Sequence, residues 1–93
     1  MNIYLFIDLH RKIAKEARDY FTNLLKVLWI LKILFGDSLS INMEVVFGRG
    51  RHSKNKVPVL KYVILRQAKK YRNFGYEYKL NKKTAYGSMI IIF

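Results

Sequence analysis

Val46-Phe47-Gly48-Arg49-Gly50-Arg51-His52-Ser53-Lys54 is the point at which an apolar run breaks into two glycines interleaved with arginines, a histidine and a serine. The pattern is that of a strand emptying into an anion-binding loop. Gly48 and Gly50 permit positive φ and close backbone approach, so successive N–H groups can converge on a phosphate while Arg49 and Arg51 supply charge. A lone G-x-G after a strand is more often a plain turn, so its meaning depends on the segments to either side.

Upstream, Met43 to Phe47 reads as the short strand that feeds this loop. Met1 to Leu9 is almost continuously apolar through Ile3, Tyr4, Leu5, Phe6 and Ile7 and is too short before Asp8 to be a helix. It reads as a first strand, apolar on both faces. Side chains alternate along a strand, so Asp8 and His10 emerge on the same side at its C-terminal end. Between the two strands, Ile13, Ala17, Tyr20, Leu24, Leu28, Leu31 and Phe35 recur every three or four residues. This spacing predicts a long helix over 11–35, ended by Gly36-Asp37-Ser38. Leu25, Val27, Trp29, Ile30, Ile33 and Leu34 make its second half apolar nearly all round, so that half has to bury more than one face.

Downstream, Pro58 fits the first turn of a second helix whose apolar face is Leu60, Val63, Ile64, Gln67 and Tyr71, with Lys61, Arg66, Lys69, Lys70 and Arg72 mostly elsewhere. Phe74 to Leu80 reads as a strand with Gly75 as a bulge, Asn81 to Gly87 as a polar loop holding Lys82 and Lys83, and Ser88 to Phe93 as a closing strand. The order is βαβαββ in one domain spanning 1–93, an α/β layer structure. Ligand sites in such structures lie beyond the C-terminal ends of the parallel strands. Asp8 and His10 should therefore face the glycine loop on one rim.

Composition narrows the partners. Eighteen Lys and Arg against six acidic residues give a net charge of +12, which favours a polyanion: nucleic acid ahead of an anionic membrane surface. With no cysteine and two histidines, neither a disulfide framework nor a thiolate metal site is available. The apolar stretch Tyr20 to Phe35 is interrupted by Asn23, Lys26 and Lys32 and is shorter than the roughly 20 residues a membrane span needs, so no membrane partner is expected. The N-terminus lacks the pattern of a secretory leader, and the expected location is cytoplasmic, nucleoid or nuclear.

With Ile7-Asp8-Leu9-His10 closing the first strand and Gly48-Arg49-Gly50-Arg51-His52-Ser53 closing the second, the chain resembles the Smr domain, the small MutS-related module. The first patch matches the family's L-D-L-H type motif and the second its central G-x-G loop, which often continues to His-Ser. Gly87 before the terminal strand fits a third, weaker motif. The resemblance implies a two-layer α/β sandwich, two helices on one face of a four-stranded mixed sheet, similar to the C-terminal domain of translation initiation factor three. It also implies binding to DNA or RNA and, for several members, endonuclease cleavage or nicking of phosphodiester bonds. Two positions depart from the family. Arg11 stands where Gly is usual, and Phe47 stands where His or Thr often precedes the glycines.

Each site residue has a functional and a plainer reading. Asp8 could hold a divalent ion such as Mg²⁺ or Mn²⁺ or orient His10 as a general base, or it could simply cap the first helix. His52 could protonate a leaving oxygen or bind phosphate, and Ser53 reads as a phosphate or cap hydrogen bond. Arg49, Arg51, Lys54, Lys56, Lys82 and Lys83 are phosphate contacts by charge and reach, although a charge run is usually a solvated face. Lys61, Lys69 and Lys70 belong to the same basic set. Tyr76 and Tyr78 could form a stacking platform for bases or ordinary strand packing. Strands apolar on both faces in a two-layer domain imply a homodimer or larger host assembly through the open sheet face. The function expected is an endonuclease of DNA or RNA, and the alternative is a noncatalytic binding module using the same loop.

Overall fold

The computed structural model describes residues 1–48 and 59–93. Asn2–Asp8 forms β1, Ala14–Phe35 α1, Ser40–Val46 β2, Val59–Lys70 α2, Glu77–Leu80 β3 and Ser88–Ile92 β4. The sheet order is β1-β2-β4-β3. β1 runs parallel to β2, while β4 runs antiparallel to both β2 and β3. The result is an α/β fold of two helices and a four-stranded mixed sheet, with the βαβαββ order expected from the sequence.

β2 shows why the layers separate. Ile41, Met43 and Val45 are buried, whereas Ser40, Asn42, Glu44 and Val46 are only partly covered. The buried set joins Phe21, Leu25 and Leu28 of α1, Ile64 and Ala68 of α2, and Met89 and Ile91 of β4 in one core. Both helices therefore cover the same face. They also meet each other, where Gln67 Nε2 donates to Thr22 Oγ1 at 2.7 Å, and Trp29 of α1 stacks on Phe74 in the turn after α2 with ring centroids 4.4 Å apart.

Several boundaries differ from the sequence reading. α1 starts at Ala14 rather than Arg11, because Lys12 N–H closes a turn onto Leu9 O at 3.0 Å and Ile13 is extended with φ −71° and ψ 155°. Asp8 accordingly caps no helix. β2 begins at Ser40 and ends before Phe47. Gly75 is not a strand bulge: it lies at φ 92° as the left-handed residue closing the turn Arg72–Phe74, and β3 starts only at Glu77. The second half of α1 is apolar nearly all round, yet its outer surface leaves Val27, Ile30, Ile33 and Leu34 exposed. Among the described residues no helix is long and apolar enough to cross a membrane.

The open face of the sheet is mixed. Tyr4 and Phe6 are exposed there, beside a groove of about 410 Å³ bordered by Asn42, Glu44 and Ile90. Glu44 anchors a polar cluster the sequence did not suggest: Oε2 accepts from Asn81 Nδ2 at 3.0 Å and from Ser88 Oγ at 2.7 Å, and Ser88 Oγ lies 2.8 Å from Thr84 Oγ1. Ser88 is fully buried, so loss of the carboxylate leaves its hydroxyl with Thr84 alone and takes the acceptor from the Asn81 amide. Glu44→Ala should lower the unfolding free energy by about 1–3 kcal/mol, read as a shifted urea midpoint. Glu44→Gln, which keeps an acceptor, should cost less.

Candidate functional site

The parallel pair β1 and β2 ends in a rim where three separate segments meet. Leu9 N–H donates to Val46 O at 2.7 Å and so carries the β1 ladder one residue past Asp8. Beyond the end of β2, Phe47 N–H and Gly48 N–H both donate to Gly87 O, at 3.1 and 3.0 Å. Gly48 has φ +81°, and a Cβ built on it would lie 3.6 Å from His10 Cβ. The start of the glycine loop therefore sits against His10, and its left-handed backbone, more than lack of space, is what requires glycine.

On this rim Asp8, His10 and Arg11 form a directed chain. His10 N–H donates to Asp8 Oδ1 at 3.1 Å, and His10 Nδ1 lies 2.5 Å from the same oxygen. Arg11 Nε donates to His10 Nε2 at 3.1 Å. A guanidinium N–H can only donate, so Nε2 is the accepting nitrogen and the proton resides on Nδ1, shared with Asp8. The two bonds from His10, side chain first and backbone second, hold the Asp8 carboxyl below its ordinary value, with a smaller contribution from the Arg11 charge. Asp8 and His10 remain open to solvent, with side-chain exposures of 45% and 39%. Together with Arg11, Lys12 and Glu16 they line an open recess of about 480 Å³.

Asp8 Oδ1 is committed to His10, which leaves Oδ2 as the oxygen a divalent cation would meet. Among the described residues no three His, Cys, Asp or Glu side chains cluster as a ligand set. An ion at Asp8 would draw its other ligands from water and phosphate, as Mg²⁺ often does.

The remaining expected site residues are distributed unevenly. Arg49, Gly50, Arg51, His52, Ser53, Lys54 and Lys56 lie outside the described residues, as does Pro58. Lys82 and Lys83 are exposed in the turn Lys82–Thr84, which leads to Gly87 and hence to the rim. Lys61 sits with its ammonium 5.7 Å from the Tyr86 ring centroid in the same loop. Lys69 and Lys70 end α2, which runs away from the rim towards the start of β3. Tyr76 and Tyr78 are not a stacking platform. Tyr76 is buried, donates from Oη to Ala68 O at 2.6 Å, and has its ionisation pushed up by burial. Tyr78 packs edge-on against it. Phe47 is buried in the core, so its side chain offers nothing to the rim.

Neither family models, nor characterised proteins, nor solved structures give a match to the chain. The site therefore stands on its own geometry. Sequence reading missed two of its parts. Arg11 stands out in the sequence only as a departure from glycine, and its hydrogen bond to Nε2 depends on the turn at 9–12. Ala85 and Tyr86 are both left-handed, at φ 53° and 65°. Neither residue type announces such a conformation, which costs roughly 1 kcal/mol or more at each position.

Because the folded-state value of Asp8 is depressed, the stabilisation from its bonds is present above the ordinary aspartate range and is lost as pH falls through the depressed value. The Asp8 carboxyl carbon, followed by NMR, should titrate below the ordinary aspartate range. His10→Ala should move that midpoint upward and flatten the acid limb of the stability curve.

Proposed function

We propose that the chain is a Smr-like, nucleic-acid-binding endonuclease that presents the rim between His10 and Gly48 to a phosphodiester of DNA or RNA. The observation that carries this reading is the ordered Asp8–His10–Arg11 chain set directly against the left-handed Gly48. Two helices on one face of a four-stranded mixed sheet also support it, as does the +12 charge. The named similarity to the C-terminal domain of translation initiation factor three belongs to the same proposal.

In this mechanism Asp8 fixes the imidazole with Nδ1 protonated and leaves Nε2 as the basic nitrogen. Arg11 blocks that nitrogen in the free protein. A phosphate oxygen is a stronger partner for a guanidinium than a neutral imidazole, so substrate draws Arg11 away and exposes Nε2 to a water or a ribose 2′-hydroxyl. Arg49, Arg51 and the loop amides neutralise the phosphate and the charge developing on phosphorus, and His52 protonates the leaving oxygen. Ser53, Lys54, Lys56, Lys82 and Lys83 grip the flanking backbone. A divalent ion, Mg²⁺ or Mn²⁺, held at Asp8 Oδ2 would add charge neutralisation.

A second reading, a noncatalytic binding module, is favoured by the same Arg11 contact, because a lone pair already engaged by a guanidinium is not a free base. The buried Phe47 points the same way. A cleavage assay on labelled single- and double-stranded DNA and RNA, with Mg²⁺, Mn²⁺ or EDTA, separates the two. Asp8→Ala and His10→Ala should each reduce cleavage by about 10²-fold or more while leaving binding nearly intact. Arg11→Ala should weaken substrate engagement without that loss of the chemical step. Equal cleavage by wild type and Asp8→Ala would sink the assignment, and binding with no cleavage of any substrate would establish the module.

A further inference from the structure

We propose that two copies of the chain form a two-fold dimer in which β1 pairs antiparallel with β1 of a second copy and the two α1 helices pack side by side across the axis. The assembly rests on β1 and α1, and the one rim residue it touches is Asp8, at the end of the paired strand.

β1 is an edge strand whose only strand partner among the described residues is β2. Leu9 N–H bonds Val46 O, and Met1 O accepts from Ser40 N–H, so odd-numbered residues turn their backbone groups towards β2. The two-residue period of a strand then aims the N–H and C=O groups of Asn2, Tyr4, Phe6 and Asp8 outward. Exposed edges are ordinarily blunted by lysine, proline or a bulge. β1 has none of these: it reads Asn-Ile-Tyr-Leu-Phe-Ile-Asp and holds unbroken register with β2 along its length.

That sequence is close to a palindrome about Leu5. Ile3 mirrors Ile7, Tyr4 mirrors Phe6, and polar Asn2 mirrors Asp8. An isologous contact needs this self-complementarity. Centred on Leu5, antiparallel pairing sets Tyr4 opposite Phe6 of the second copy as a hydrogen-bonded pair, using the outward backbone groups. Leu5 then faces its own copy as a non-hydrogen-bonded pair, and Asn2 meets Asp8 at each end.

α1 makes the same demand independently. Ala17, Phe21, Leu25 and Leu28 face the core, while Thr22 and Trp29 face α2 and its following turn. At 100° per residue the opposite flank carries Tyr20, Val27 and Leu34, spaced by seven and 46%, 52% and 70% exposed. α1 joins β1 to β2, and α2 lies on the β3 side, where Ala68 meets Tyr76. The unpartnered flank therefore overhangs the β1 edge. Pairing the edges brings the two α1 axes to about two strand spacings, roughly 10 Å, which is a helix-packing distance. One symmetry operation thus covers both the open edge and the apolar flank. The copies repel through their net charge of +12, but β1 holds no cation, so added salt should tighten the dimer while weakening any nucleic-acid complex.

The chain has no cysteine, so a single introduced thiol reports the register. Leu5→Cys should crosslink into a two-chain species under mild oxidation, much faster than Tyr62→Cys on the exposed surface of α2. Sedimentation equilibrium at high protein concentration and moderate salt should give twice the monomer mass for wild type. Tyr4→Lys with Phe6→Lys, which sets like charges opposite each other, should weaken association by about tenfold or more. Tyr4→Lys with Phe6→Glu, which sets opposite charges in the same register, should restore it. A monomeric wild type in that salt, Leu5→Cys crosslinking no faster than the Tyr62→Cys control, or the two double variants dissociating alike would overturn the proposal.

Discussion

The side-chain alternation of β2 is the constraint on which the other elements depend. It is paired on both sides, parallel to β1 and antiparallel to β4, so no shift of its register can be absorbed at an edge. A slip by one residue would exchange Ile41, Met43 and Val45 with Asn42 and Glu44, placing a carboxylate in the core and the core residues in water. The same alternation that seats Met43 under the helices delivers Glu44 to Asn81 and Ser88 on the other face. It also fixes where the strand ends. Val46 O is taken by Leu9, and the next two N–H groups are taken by Gly87, so the rim is assembled by the ladder before any functional side chain is considered.

On that rim electrostatics and conformation act together. The protein has few acids, and one of them, Asp8, receives two bonds from His10 and stands next to Arg11. An isolated carboxylate on so basic a chain would be expected to pair with the many lysines, weakly and in several geometries. Here the tight turn from Leu9 to Lys12 removes that freedom, because the backbone N–H and the ring Nδ1 of His10 converge on one Asp8 oxygen. The imidazole is thereby held in one tautomer and one orientation. Its remaining nitrogen carries a guanidinium that a phosphate would attract more strongly, which makes the arrangement responsive to the class of ligand that the net charge favours.

The order of elements was legible because it rests on periodicity: Met43 and Val45 alternate with less buried neighbours, and the three-to-four spacing of apolar residues marks α1. The stripe which that spacing picks out is rotated from the true core face, since Ile13, Tyr20 and Phe35 are exposed while Phe21 and Leu25 are buried. The approach of His10, held by Asp8, to Gly48 was legible from the parallel-strand rule. What sequence did not reveal depends on backbone conformation with no compositional mark. Arg11 looks like one more cation of a basic helix, whereas it belongs to the turn before it. Ala85 and Tyr86 adopt left-handed conformations with neither glycine nor asparagine to signal them. Tyr76 alternates with Tyr78 as a stacking pair would, yet Gly75 closes a turn instead of entering the strand, and Tyr76 drops onto α2.

The length and apolarity of α1 raise a question that the monomer leaves open. A helix over a two-layer sheet needs one stripe towards the core and a narrower one towards its neighbour, and Phe21, Leu25, Leu28 and Trp29 already satisfy both. Tyr20, Val27 and Leu34 exceed that need, as do Tyr4 and Phe6 on the strand beneath the same edge. Exposed apolar residues scattered singly require no explanation, but these lie on one side of the molecule and repeat with the periods of their own elements. A basic chain that self-associates works against its own charge. Under the proposed function and the proposed dimer, a bound polyanion would neutralise part of that charge and lower the repulsion between copies, so charge alone would couple binding to assembly with a favourable sign.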